Sequence, residues 1–513
     1  MKLSRMTSAL LLSGLLLTTA GCAAPNLSSS ADLMEGIVPS QEAVLGAEIS
    51  DRGTVSEAFA DFAVRLFQQR MRAAYGKSGE TGFRKADLCC IHVDGKALMY
   101  EREAPGTGSL TPKERLDWFS EETEIEGIFW EVFSVEEYPD LSHIVLISGS
   151  NGSWTFRALE AAENPLVSPL SVLSALAMTA NGAKGETLSE MEAVLGLPVG
   201  ELNASFRDLL NRTEPEDGEP RFHLANSIWF TDDERFTVNR DFLQTNADFY
   251  NAGIYRAPFD EGTLKDINNW VKDNTDGMIP EILDQIPESA VMFLVNALAF
   301  EGEWAEVYRE HQVKSGTFTR EDGTKQTVDF MRSGEYLYLE DGDAATGFIK
   351  PYKGGKYAFA ALLPKDGTTV ADYAASLDGE KLIGILSSAE QTLVEAALPK
   401  FEAEYGAELS ETLKALGMPT AFHPSRADFS GLGTSTEGSI YIGRVLHKTF
   451  ISVHEQGTKA GAATAVEMMP EEGAMEMPEP KWVTLDRPFV YLLIDRETNQ
   501  PFFIGALTNM EGE

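Results

Sequence analysis

Residues His454–Pro488 read HEQGTKAGAATAVEMMPEEGAMEMPEPKWVTLDRP. An entry of Glu455, Gly457 and Thr458 leads into small residues, then into a Met-, Glu- and Pro-rich segment without hydrophobic periodicity, then into a strand-like return. The run from Thr458 to Val466 has the length of a strand. It lacks the bulky β-branched and aromatic side chains that favour strand pairing. Its parity is informative. Thr458, Ala460, Ala462, Thr464, Val466 and Met468 carry no charge and are mostly small, whereas the other parity holds both charges, Lys459 and Glu467. Successive side chains of a strand point to opposite faces. One face of this segment therefore suits a packed core and the other suits water, as in a loop able to become a strand.

Working outward, the segment Glu455-Gln-Gly-Thr-Lys-Ala-Gly-Ala-Ala-Thr-Ala-Val resembles the hinge of the reactive-centre loop of serpins. HKTFISV before it and RPFVYLLIDRETNQPFFIGALTN after it resemble the same family's closing region. Further matches are Asn164-Pro-Leu-Val-Ser-Pro-Leu-Ser with the Gly-Ala-Lys-Gly turn at 182–185, FHLANSIWF (222–230), INNWVKDNTDGMIPEIL (267–283), VNALAFEGEWAEVY (295–308), LPKFEAEYGAELSETLKALGM (398–418) and HPSRADFSGL (423–432). The resemblance covers about 53–76 and 163–510. It implies an α+β serpin fold: a mixed central sheet, surrounding helices and an exposed reactive-centre loop at about 455–487. The chain itself places Lys459 where the family usually has Glu, on the charged parity.

Composition narrows the function classes. With 42 basic against 80 acidic residues the net charge is −38, which opposes binding to nucleic-acid backbones. Residues 1–21 form a secretory signal: Lys2 and Arg5, an apolar core, then small residues before Cys22. Thr19-Ala20-Gly21-Cys22 resembles a bacterial lipobox, although Thr19 stands where an aliphatic residue is usual. That resemblance implies diacylation of Cys22 and an exported protein, lipid-anchored at the bacterial cell surface or outer membrane, or secreted. Residues 22–52 are Ser- and Ala-rich and read as a tether. Neighbouring Cys89 and Cys90 are too close in the chain for an unstrained disulfide, so no structural disulfide is expected.

From Val55, the stripe Phe59, Phe62, Ala63, Leu66, Phe67 and Met71 predicts a helix, and 53–76 resembles the first serpin helix. Residues 77–162 carry none of the motifs that resemble the family. Strand-like runs (LCCIHV, KALMYERE, SHIVLISG, SWTFRAL) and a helix opened by Thr111-Pro112-Lys113-Glu114 make them a small inserted α+β module. The serpin domain resumes at 163 and runs to 513.

Enzymatic signatures are missing from the sequence: no Gly-x-Ser-x-Gly elbow, zinc helix, P-loop or Cys-x-x-Cys occurs. His447 and His454 fall on opposite faces of one strand, which is poor metal geometry. No metal or cofactor is expected. A hydrolase using Ser168 or Ser171 with His447 is the weakest reading, because Ser168 is better explained as a helix cap before Pro169. The resemblance implies instead that Ser168, Ser171, Asn296 and His447 form a buried polar cluster under the central sheet, and that Trp304 marks the sheet top. It implies a hinge of Glu455, Gly457, Thr458, Ala460, Ala462 and Ala463. Counting sixteen residues beyond Glu455 places the reactive bond at Glu471–Glu472, with Met469, Ala474 and Met475 as alternatives. The function implied is a suicide-substrate inhibitor of serine proteases, with cysteine proteases as a second target class. Acylation, loop insertion and a trapped covalent complex are the expected steps, and a monomer is the expected state. The alternative is a non-inhibitory binding or scaffold protein whose inserted module holds the partner.

Overall fold

The computed structural model describes residues 32–34, 37–40, 52–75, the strand segments 83–84, 89–93, 96–100, 131–132, 143–150 and 153–160, and then 164–213, 220–321, 323–458 and 479–510. Side chains at 32–33, 73–75, within 83–160 and at 222–223 are not described. Cys22, Ala460, Ala462, Ala463, Met469, Glu471, Glu472, Ala474, Met475 and the helix expected at Thr111 lie outside the described residues. Cys89 and Cys90 open a strand, Cys89–Val93, that pairs with Lys96–Tyr100.

Two sheets dominate. The first has seven strands: β1 (Asp32–Leu33), β2 (Arg221–Thr231), β3 (Gly253–Ala257), β4 (Met292–Glu303), β5 (Phe401–Glu408), β6 (Leu446–His454) and β7 (Gly457–Thr458). Their spatial order is β1-β3-β2-β4-β7-β6-β5. Only β3 and β2 run parallel. The second sheet has nine strands and includes the neighbours Phe489–Asp495 and Pro501–Leu507, both buried along their whole length. Their uninterrupted apolar runs, FVYLLI (489–494) and PFFIGAL (501–507), fit strands covered on both faces.

Two helices fix the sheets to one another. Helix α1 (Arg52–Tyr75) buries Phe59, Phe62, Ala63, Leu66, Phe67 and Met71. Its Gln68 Nε2 donates to Leu377 O at 2.7 Å, and Asp61 crosses Gly379 so closely that a Cβ there would lie 2.5 Å from the Asp61 nitrogen. Helix α2 (Pro169–Ala180) starts with Pro169 behind an N-cap at Ser168 and packs against both β4 and Pro501–Leu507. Residues 77–162 contain the hairpin His143–Ser150 with Ser153–Glu160, flanked by Phe83–Arg84 and Glu131–Val132.

One boundary differs from expectation. Within the segment read as a tether, Asp32 and Leu33 pair antiparallel with Arg256 and Tyr255 at the sheet edge, and Met34 N donates to Ile254 O at 2.9 Å. Ile37 is buried, and Gln244 Nε2 donates to Val38 O. A two-residue edge strand is made by the backbone and needs no side-chain periodicity, so a pattern search passes over it.

Candidate functional site

The site is the seam between β4 and β6. Among the described residues these central strands share no ladder; they meet only through the two residues of β7. Gly457 and Thr458 pair antiparallel with Glu303 and Gly302 on one side, and with His454 and Val453 on the other. Only glycine fits at 457. Its φ is +155°, and a Cβ there would lie 1.9 Å from Gly302 O.

Thr458 is 3% exposed and its hydroxyl shares a 2.6 Å hydrogen bond with Tyr352 OH. Burial drives the Tyr352 phenol well above its ordinary pKa, so it stays neutral. Trp304 stacks on Tyr352 with ring centroids 4.5 Å apart. The indole donates to His454 O at 2.9 Å, while the backbone nitrogens of Trp304 and Tyr308 donate to Gln456 O and Glu455 O. The turn that starts the loop is thereby bonded to the strand end beside it at three points. Lys400 Nζ reaches Glu455 Oε1 at 2.8 Å. Burial opposes ionisation of Glu455, but the Lys400 bond and ammonium outweigh it and hold the carboxyl below its ordinary pKa.

Lower in the seam the polar residues form two groups. On one side Ser168 N donates to His447 Nε2 at 3.0 Å, and Ser168 Oγ accepts from Ser171 N at 3.3 Å. His447 is buried, and desolvation, with the nearby Arg70 charge, lowers its pKa to about 3. It is neutral and an acceptor at Nε2. On the other side Asn296 Nδ2 donates to Asn226 Oδ1 at 2.8 Å; Asn226 also accepts from Ser174 Oγ and donates to Tyr250 O. Asn296 Oδ1 is buried without a partner among the described residues. The four residues singled out from sequence thus do not share one hydrogen-bonded cluster: Asn296 belongs with Asn226 and Ser174, and no bond joins it to His447. Burial along β6 alternates, with His447 inside and His454 half-buried. No group of three or more metal-ligating side chains occurs among the described residues.

Sequence reasoning did not single out Ser174, Asn226 or Tyr352. Asn226 and Asn296 sit directly opposite in the β2–β4 register, a relation visible only once the strands are paired. Tyr352 lies 106 residues from Thr458 in the chain.

A two-sheet body whose central strands β4 and β6 share no ladder, with the two-residue strand Gly457–Thr458 lodged between them, defines a class of protein. The family model described as "Serpin (serine protease inhibitor)" matches residues 155–510. A serpin-like protein of Thermococcus kodakarensis is 32% identical over 352 residues, spanning 67% of this chain and 80% of that protein. The leukocyte elastase inhibitor of Equus caballus is 30% identical over 376 residues, spanning 69% and 96%. Among solved structures, the thermophilic serpin tengpin in the native state is 46% identical with a TM-score of 0.63, covering 68% of this chain and 89% of that one. The chain belongs to the serpin family, most of whose members are protease inhibitors.

Proposed function

We propose that this serpin is an inhibitor of serine endopeptidases and not itself an enzyme, acting as a suicide substrate whose cleaved loop enters the main sheet. The observation that carries this reading is the seam: β4 and β6 share no ladder of their own, and Thr458 already lies buried between them. A strand entering from Thr458 onward would continue β7 antiparallel to both neighbours. About a dozen residues forming ladder bonds worth roughly 1 kcal/mol each would supply on the order of 10 kcal/mol, comparable with the stability of a whole domain. The target protease's nucleophile attacks the carbonyl of the reactive bond at Glu471–Glu472, or at Met469, Ala474 or Met475; the peptide bond breaks, the downstream amine leaves, and the protease is held through the acyl bond so formed. In the same reading residues 77–162 are a separate inserted module, and a lipid on Cys22 anchors the exported chain.

The uncharged parity beginning at Thr458 is what permits insertion. Thr458→Arg would have to bury an unpaired charge beside Tyr352, at a cost of several kcal/mol. The expected outcome is conversion from inhibitor to substrate: the loop is still cut, but the SDS-resistant complex falls at least tenfold across a panel of serine proteases. A variant that forms complex as efficiently as its parent overturns the proposal. So does a parent protein that is cleaved by every protease tested and forms no complex with any.

A further inference from the structure

The strand Lys325–Asp341 pairs with Ala345–Pro351 only from Tyr338 to Asp341. Before Tyr338 its ladder with Glu390–Pro399 continues through a register shift between Glu335 and Leu337, but no ladder joins it to Ile349–Pro351 there. A cavity of about 580 Å³ fills the wedge. Its apolar wall includes Leu337, Ile349 and Leu393. Into the same space come Glu335 and Lys350, 6% and 2% exposed, joined at 2.7 Å. Their charges cancel. At the mouth stand Glu306 and Arg496, both exposed and neither ion-paired among the described residues.

A buried ion pair contributes little to stability for its desolvation cost, so packing alone is a weak reason for one beside an open space. The wedge has an apolar wall, an internally neutral floor, and one free charge of each sign at its rim. A simple anion there would face Glu306, and a simple cation would face Arg496. The ligand matching both is net neutral with a charge at each end and an apolar body. We propose that this wedge binds a small apolar zwitterion of the α-amino-acid class.

Occupancy would be felt at the hinge. Lys350 Nζ lies 4.4 Å from the ring centre of Tyr308 and 5.4 Å from that of Trp304. Ser333 Oγ bridges Glu335 and Tyr308 OH, at 2.6 and 3.2 Å. Tyr308 and Trp304 are the residues whose amides bind Glu455 and Gln456. A ligand that orders the ion pair therefore orders the platform on which the hinge rests.

Calorimetric titration of the full chain with L-phenylalanine, N-acetyl-L-phenylalanine and L-phenylalaninamide tests the charge pattern. The zwitterion is expected to bind at least tenfold tighter than either analogue, each of which lacks one charge. The exposed-rim variants Arg496→Met and Glu306→Gln are expected to lose that preference while melting like the parent. Equal affinity for the three probes, or no binding of L-phenylalanine up to about 10 mM (a contact of under 3 kcal/mol), overturns the site. Hydrogen exchange at the amides of Trp304 and Tyr308 tests the coupling without reference to protease inhibition. Saturation should slow both severalfold, and unchanged rates alongside binding overturn the link to the hinge.

Discussion

The two sheets are built from different physical materials. In the nine-stranded sheet, Phe489–Asp495 and Pro501–Leu507 are laddered to each other and buried on both faces. In the seven-stranded sheet, the central strands β4 and β6 are joined through two residues and a set of discrete polar contacts. Apolar burial is non-directional and accumulates with area, so a sheet held that way resists separation everywhere at once. A seam held by individual hydrogen bonds, each worth about 1 kcal/mol net, can exchange its partners one at a time. The two sheets are thus distinguished by the kind of interaction that holds them.

The largest expected effect lies in the nine-stranded sheet, the apolar frame. Leu492→Ala removes a fully buried side chain between two laddered neighbours, where little can collapse to fill the space; a loss of about 2–5 kcal/mol is expected. Thr458→Ala in the seam removes one hydrogen bond to Tyr352 and should cost about 1 kcal/mol. Urea unfolding of both variants measures the contrast, and equal losses would break the comparison.

The next effect is a pH dependence specific to the seam. The pKa of His447 is lowered from 6.5 to about 3 in the folded chain by burial first and by Arg70 second. Above pH 6.5 the ring is neutral in both states and its contribution is fully present. As pH falls from 6.5 toward 3 the unfolded chain takes up a proton that the folded one cannot, so stability is lost at a little over 1 kcal/mol per pH unit. Between pH 7 and pH 4 that amounts to about 3 kcal/mol. His447→Gln retains an acceptor for Ser168 N–H and removes the titration. Its urea midpoint should therefore fall less than the parent's over this range. Parallel curves would mean that His447 reaches water, and that the seam is not closed around it.

Much of this was readable in the chain before any strand was paired. Ordered motifs from Asn164 to Asn509 carried the family and its fold class, because each motif ties a turn or cap to an apolar period. The parity count puts Thr458 on the uncharged side, and its hydroxyl is buried against Tyr352; Ala460 and Ala462 share that parity outside the described residues. What could not be read depended on register and distance. Asn226 lies opposite Asn296 only after β2 and β4 align, and the edge strand Asp32–Leu33 uses backbone groups that every residue has. Asn296 bonds Asn226 and His447 bonds Ser168 for the same reason. Sequence gives their common burial but not which amide faces which.

The smallest effect sharpens the comparison most. Lys400 and Glu455 form an ion pair at the base of the loop, each side chain about one third exposed, so solvent screening limits its worth to under about 1 kcal/mol. Lys400→Met should lower stability by no more than that at pH 7, and the difference should fade in 1 M salt as the Debye length shrinks to about 3 Å. The folded pKa of Glu455 lies below its ordinary value of 4.5. The pair's contribution is therefore present above that value and is lost as pH falls through the folded pKa, so parent and variant should converge at low pH. Urea midpoints at two salt concentrations and two pH values measure both trends. A loss above about 2 kcal/mol would show that the Lys400–Glu455 contact contributes more than a solvent-screened ion pair. The polar seam would then rival the apolar frame in strength, and the division of labour between the two sheets would have to be redrawn with Glu455 as a lock in place of a pivot.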